Sequence, residues 1–176
     1  MSDFLDSNYE VPATGNNYMK FKDGDNKFRI LSKPIVGWLD WKDKVPHRFP
    51  MAAKPEKPFD PSKPVRHFWA MIVFDYADNA VKVLEITQAT IQTAIKNYSK
   101  DEEWGAPYFY DFKIMRKGKE KDTEYFISAS PKKPASEEMK KAALDKPINL
   151  MALFDGGDPF AVGAVQTEIE ILNLPF

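Results

Sequence analysis

The chain contains no cysteine, which removes disulfides, thiolate zinc sites and cysteine nucleophiles together. Histidine is nearly as scarce. His47 and His67 are the only imidazoles, so a His-rich metal site has no material. No apolar run reaches the length that spans a bilayer, and Met1-Ser2-Asp3-Phe4-Leu5-Asp6 lacks the basic segment and apolar stretch of a signal peptide. An excess of one charge is missing too. Lys plus Arg number 25 against 26 for Asp plus Glu, so any case for a charged partner has to rest on where the charges lie. There is no phosphate-cradling glycine loop, no nucleophile–base pair and no internal repeat. These absences predict a chain with no catalytic residue, no cofactor, no metal and no membrane segment, located in the cytoplasm.

Aromatic residues are plentiful, at 14% of 176, within a hydrophobic content of 43%. That is enough for one well-buried core and little for a second. Residues 1–26 are polar, with Gly15-Asn16-Asn17 and Asp23-Gly24-Asp25-Asn26 as turn signals, and read as a loosely tied arm. Residues 27–131 read as the core domain, 132–166 as an extension packing on it, and 167–176 as an acidic-hydrophobic tail.

Within the core, Lys27 to Leu31 alternates as a half-buried strand, and Ile35 to Trp41 resumes extended character after Pro34. Prolines 46, 50, 55, 58, 61 and 64 predict a long irregular loop. Phe68 to Phe74 is apolar on both faces, as in a central strand, and Tyr76 to Ala80 turns it into Lys82–Ile86. Thr87 is placed to cap a helix carrying Ile91, Ala94, Ile95 and Tyr98, with Ile86 and Ile91 as a staple. The helix ends by Trp104-Gly105-Ala106-Pro107. Tyr110–Arg116 and Thr123–Ser130 flank a basic hairpin tip, and Ser136 caps a second helix reaching Leu144. Strand, strand, strand, helix, strand, strand is the order of the OB-fold. The expected fold class is therefore mainly β with α: a five-stranded Greek-key barrel, one helix between strands 3 and 4, and a C-terminal extension.

The basic residues gather. Between Lys42 and Arg66 there are seven Lys or Arg and three acids, with Phe49 and Phe59 inside the segment and Trp38, Trp41 and Trp69 at its edges. The hairpin adds Lys113, Arg116, Lys117, Lys119 and Lys121. In an OB-fold the first long loop and the last hairpin border one groove, so the two clusters are expected to converge there. Flat rings for bases and cations for phosphates are what sequence-tolerant single-strand binding requires. Trp38, Trp41, Phe49 and Trp69 are the candidate stacking residues, and Arg48, Arg66 and the hairpin cations the candidate phosphate contacts. A packing role competes at each aromatic position. Trp38 and Trp41 could seal a barrel end, Trp69 or Phe68 must be core, and the hairpin lysines could be a solvated face. His67 reads as a packed or rim residue, and Asp101-Glu102-Glu103 as solvated charge.

The tail carries Glu168 and Glu170 among apolar residues and ends Leu174-Pro175-Phe176. Thr167 to Ile171 fits a last strand. The same segment also fits a peptide that docks into partner proteins and competes for the basic groove, with Asn173 to Phe176 free.

Asn26–Trp38, the Phe68–Phe74 strand, Val83–Gln88 and Tyr110–Gly118 together resemble phage-encoded single-stranded DNA-binding proteins, over about residues 18–131. Leu174-Pro175-Phe176 resembles the Pro-Phe tip of the bacterial proteins of that kind, whose acidic tails recruit replication partners. This tail has fewer acids, and the zinc site of some phage relatives has no cysteine here to form it. The resemblance implies a non-catalytic protein that coats and protects single-stranded DNA in phage DNA replication, recombination and repair, in the host cytoplasm, with partners held by Glu168, Glu170, Leu174, Pro175 and Phe176. The competing expectation is a non-catalytic OB-fold protein-interaction or structural phage module that presents the proline-rich loop to a protein.

Overall fold

Alternation along the strands has to serve two apolar layers, because the sheet is covered on both faces. The computed structural model describes residues 4, 17–161 and 165–174. Eight strands, β1 (Tyr18–Met19), β2 (Gly24–Ile30), β3 (Ile35–Lys42), β4 (Val45–Pro50), β5 (Arg66–Asp75), β6 (Ala80–Ile86), β7 (Phe112–Lys117) and β8 (Glu124–Ala129), form one open mixed sheet. Its order is β1-β6-β5-β2-β7-β8, with β3 paired to β5 and β4. Helices α1 (Ala89–Lys100) and α2 (Glu137–Asp145) complete the regular structure, with short 3-10 turns between. The chain is mainly β. No helix among the described residues is long and apolar enough to cross a membrane.

Five strands were expected from the sequence, and the additional ones have local causes. Pro34 cannot donate a ladder hydrogen bond, so the first strand breaks there and both pieces, β2 and β3, lie along the same edge of β5. The gap stays satisfied: Leu31 N–H donates to the Ile72 carbonyl at 2.8 Å, and the Ser32 hydroxyl accepts from Ile72 N–H at 2.9 Å. Val45–Pro50, expected to be loop, returns as β4. It pairs only with β3, and the even spacing of Pro46 and Pro50 turns both ring nitrogens to the unpaired side, where proline is tolerated. Part of the expected loose arm is also sheet, since Tyr18–Met19 pairs in parallel with Val83 and Leu84 and β2 begins at Gly24.

Odd-numbered residues of β5 point to the inner layer. Met71 and Val73 are buried there with Phe28, Ile30, Phe112, Ile114 and the Ile91 and Ile95 face of α1. The expected Thr87 cap is not made. Strand β6 holds its pairing through Ile86, so Gln88 becomes the N-cap, with no side-chain cap bond, and its carbonyl accepts from Ile91 and Gln92. Even-numbered Phe68, Ala70, Ile72 and Phe74 point to the outer layer, where the C-terminal extension packs through Met139, Ala143, Leu150, Leu153 and Ile171. Ser136 caps α2 as expected, its hydroxyl accepting from Met139 N–H at 3.1 Å. Each fully buried Leu, Ile or Phe contributes about 1.5–3 kcal/mol, so the outer layer is a core and not a removable cover.

A buried polar group ties the layers together. Arg29 and Asp111 are both fully buried and paired at 2.9 Å. Asp111 also accepts from the Tyr76 hydroxyl at 2.6 Å and pairs with Lys133 at 2.8 Å, while Arg29 Nη1 donates to the Lys133 carbonyl at 3.1 Å. Burial raises the Asp111 carboxyl, but the Lys133 and Tyr76 hydrogen bonds and the Arg29 charge outweigh it and hold the pKa below the usual value. The Tyr76 phenol is pushed up, first by burial and then by its bond to Asp111.

Replacing Asp111 with Asn leaves the Arg29 charge buried without its counter-charge and is expected to cost about 3–5 kcal/mol in urea denaturation. Because the folded-state pKa is lowered, the carboxylate's contribution is complete above the unfolded value of about 3.9 and is lost as pH falls through the lower folded value. The stability gap between wild type and Asp111→Asn should therefore be constant near neutrality and narrow below about pH 4. A gap that stays constant through acid pH would show that the network does not depend on this charge.

Candidate functional site

The β3–β4 hairpin turns on two residues, Asp43 (φ 52°) and Lys44 (φ 68°), both in the left-handed region that a two-residue hairpin turn uses and that glycine normally fills. The turn sets Lys44 beside Trp41. The proline-rich segment then folds back over the hairpin. Trp38 Nε1–H donates to the Met51 carbonyl at 3.1 Å, and the buried Asp40 carboxylate accepts from Phe59 N–H at 3.0 Å. Asp60 accepts from the Ser62 hydroxyl at 2.7 Å and from its N–H at 2.9 Å, closing a turn that delivers Lys63. The Ser62 hydroxyl bond holds the exposed Asp60 carboxyl below its usual pKa. Gly37 is needed where β4 crosses: a Cβ there would lie 2.1 Å from the Phe49 carbonyl oxygen.

Trp41 is 37% exposed and stands between two open surface pockets. One, of about 420 Å³, is lined by Trp41 with Lys44, Ser62, Lys63, Pro64 and Arg66. The other, of about 410 Å³, adds Lys42, Asp43, Phe59 and Asp60. An exposed ring that borders open pockets, with ammonium and guanidinium groups at their rim, is a geometry for stacking a planar ring beside an anion.

The other expected residues separate. Trp38 and Trp41 are three apart on a regularly paired strand and so face opposite ways. Trp38 is half-buried on the inner-layer side, paired across the ladder with Phe49 and His67, and Lys54 Nζ lies 4.4 Å over its ring. Half-buried Phe49 is its cross-strand neighbour. Trp69 faces the inner layer and lines an apolar pocket of about 220 Å³ with Ile95, Met71 and Tyr108. Phe68 is fully buried on the opposite side, and the His67 ring nitrogen lies 2.8 Å from the Gly37 carbonyl. Arg48 is committed to Glu85 at 2.7 Å, whereas Arg66 is exposed beside Trp41. Arg116 donates to the Phe21 carbonyl at 3.1 Å and approaches Asp23 at 4.0 Å.

Lys113, Lys117, Lys119 and Lys121 are exposed, but the register sets their hairpin away from the proline-rich loop. Arg66 begins β5 beside Leu39, whereas Arg116 pairs with Gly24, beyond the other end of β5. The expected convergence in one groove is not what the strands produce. The face of β5 and β6 on which such a groove would lie is filled by the C-terminal extension.

The tail is neither strand nor loose peptide over its described part. Thr167 N–H donates to the Ile148 carbonyl at 2.7 Å and Glu170 N–H to the Leu31 carbonyl at 2.7 Å. Glu170–Asn173 forms a 3-10 turn with Ile171 buried, and half-buried Leu174 packs on the outer core. Asn173 and Leu174, expected to be free, are therefore part of this anchored segment. Glu168 is exposed and accepts from Asn173 at 2.9 Å, and Glu170 lies 4.0 Å from Lys33. Pro175 and Phe176 lie outside the described residues.

Among residues left out of the expected site, Lys44, Lys63 and Phe59 border Trp41, and their signal was available in the basic loop that contains them. Met115 and Phe126 are 40% and 48% exposed and directly opposite each other, and only strand register reveals that. Among the described residues no group of three or more His, Cys, Asp or Glu is placed to hold a metal ion.

No family model matches the chain, and no solved structure matches it. A curated relative, the "Probable ssDNA-binding protein" of Escherichia phage T5, is 37% identical over 67 residues, which make up 38% of this chain and 25% of the phage protein. The match spans a quarter of that relative's length.

The hairpin turn yields a prediction of its own. Lys44→Gly should keep or raise the thermal midpoint, because glycine adopts φ of 68° without steric cost. Lys44→Val should lower stability by about 1–2 kcal/mol, since a branched side chain resists that conformation. Equal stabilities in urea would show that the turn relaxes to another geometry.

Proposed function

We propose that this chain is a non-catalytic single-stranded DNA-binding protein that coats DNA with little sequence preference, and that Trp41 and the cations around it are its principal contact. The observation that carries the reading is the exposed ring of Trp41 between pockets rimmed by Lys44, Lys63 and Arg66. The phage T5 relative's name supports the ligand class. The order β2–β3, β5, β6, α1, β7, β8, with β2 shared between β5 and β7, supports an OB-like arrangement in which the extension occupies the usual groove. A role in phage DNA replication, recombination and repair, in the host cytoplasm, belongs to the same proposal. Recruitment of replication proteins would fall to the exposed Glu168 and to the terminal residues beyond Leu174. The alternative, a loop presented to a protein partner, is less favoured, because Trp38, Asp40 and Lys54 hold the proline-rich segment against its own hairpin.

Single-stranded DNA is expected to quench tryptophan emission, with log affinity falling against log salt by about 0.7 per phosphate contacted. Trp41→Ala should cost about 1–3 kcal/mol of binding per stacked base with little change in melting. Trp38→Ala should instead lower the melting temperature, because its ring and N–H anchor the loop. Full-strength binding by Trp41→Ala would remove this residue from the site, and absence of any binding at low salt would remove the single-strand reading.

A further inference from the structure

Strand pairing in the sheet ends at β1, β4 and β8. Two of these ends are guarded. β1 is two residues long, and β4 turns the ring nitrogens of Pro46 and Pro50 to its unpaired side. β8 runs for six residues, Glu124-Tyr125-Phe126-Ile127-Ser128-Ala129, with no proline and one charge, and it pairs only with β7. Ser130 N–H donates to the Asp111 carbonyl at 2.9 Å, which fixes the alternation of the β7–β8 ladder. Glu124, Phe126 and Ser128 therefore turn their main-chain groups toward β7, and Tyr125, Ile127 and Ala129 turn theirs outward. Among the described residues no other segment bonds to those outward N–H and C=O groups.

A row of alternating donors and acceptors is satisfied by another polypeptide strand, and the residues of β8 select which one. Laid antiparallel to itself about a two-fold axis at Ile127, β8 sets Phe126 opposite Ser128, Tyr125 opposite Ala129 and Glu124 opposite Ser130. A large side chain meets a small one on both faces, no like charges oppose each other, and every outward N–H and C=O of Tyr125, Ile127 and Ala129 gains a partner. An axis at Phe126 does worse. It sets Phe126 on Phe126 and Tyr125 on Ile127, and it places Ala129 opposite Thr123, whose N–H is already given to the Glu120 carbonyl. We propose that β8 pairs edge to edge with β8 of a second copy, antiparallel and centred on Ile127, so that one sheet continues across a two-fold axis. The paired strands are short, so the contact falls below a standard interface and the dimer forms only as concentration rises.

The test is made without nucleic acid, so its outcome does not bear on the Trp41 reading. In sedimentation, the wild-type mass should rise with concentration toward that of two chains. The double variant Phe126→Lys, Ser128→Lys sets like charges directly opposite each other twice across the axis and should stay monomeric, with thermal melting confirming that it is folded. Met115→Lys adds charge to the same face one strand further in and should leave the dimer intact. Register is read by cross-linking, because the chain has no cysteine of its own. Phe126→Cys and Ser128→Cys proteins, mixed and mildly oxidised, should link readily, since opposite residues of a non-bonded pair lie close enough for a disulfide. Either protein alone offers only diagonal partners and should link far less. A wild type that stays monomeric at every concentration, with no linkage in the mixture, overturns the proposal. So does a dimer that survives the double lysine variant, or one that Met115→Lys dissociates as fully, which would place the contact on the sheet face instead of its edge.

Discussion

The Arg29–Asp111 pair is the constraint on which the remaining architecture depends. Arg29 comes from β2, Asp111 from the entry to β7, Tyr76 from the turn after β5, and Lys133 from the start of the extension. Three segments distant in sequence therefore each send a group to the single buried carboxylate of a fourth. Such a cluster adds little net stability over an apolar replacement, but it penalises any arrangement that leaves one member behind. Its value lies in fixing which strands are neighbours and where the extension begins its path across the outer face.

That path determines what the sheet can offer a ligand. The outer face of β5 and β6 carries Phe68, Ala70, Ile72, Phe74, Val81 and Val83, all buried beneath α2 and the 3-10 turns that follow. A surface this apolar could not serve as a groove for a polyanion without a cover, and the extension supplies one. The polar and aromatic chemistry is displaced to the ends, where β3 and β4 project beyond β5 on one side and β7 and β8 beyond it on the other. The internal neutralisation of Arg48 by Glu85 fits this division, since Arg48 lies over Phe68 at the border of the covered face.

Much of the fold was legible because its signals are local. A run apolar on both faces identified β5, turn signals identified β6 and the β7–β8 hairpin, helical spacing identified α1, and Ser136 with its acidic first turn identified α2. The remainder was set by pairing partners that the segments themselves do not signal. Nothing near Val45–Pro50 says that β3 will offer it an edge that tolerates proline, and nothing near Tyr18 says that β6 will accept a short parallel partner. The tail alternates like a strand, yet Leu31 and Ile148 supply its hydrogen-bond acceptors in a geometry that turns it instead. At the candidate site, the basic and aromatic composition pointed to the loop that borders Trp41. The spacing of three between Trp38 and Trp41 already implied opposite faces, but which face stays open depends on where the proline-rich segment returns.

The return of that segment rests on Asp40. Its carboxylate is 1% exposed and receives the Phe59 N–H, while its other oxygen has no hydrogen-bond partner among the described residues. Withdrawing the Phe59 N–H while Asp40 stays buried would leave the carboxyl without its described donor, at a cost of about 1–3 kcal/mol or more. The segment is thus latched to its own hairpin at Asp40. A segment held this way keeps Lys63 and Phe59 in place beside Trp41, so a ligand engaging those pockets would meet no further ordering cost there.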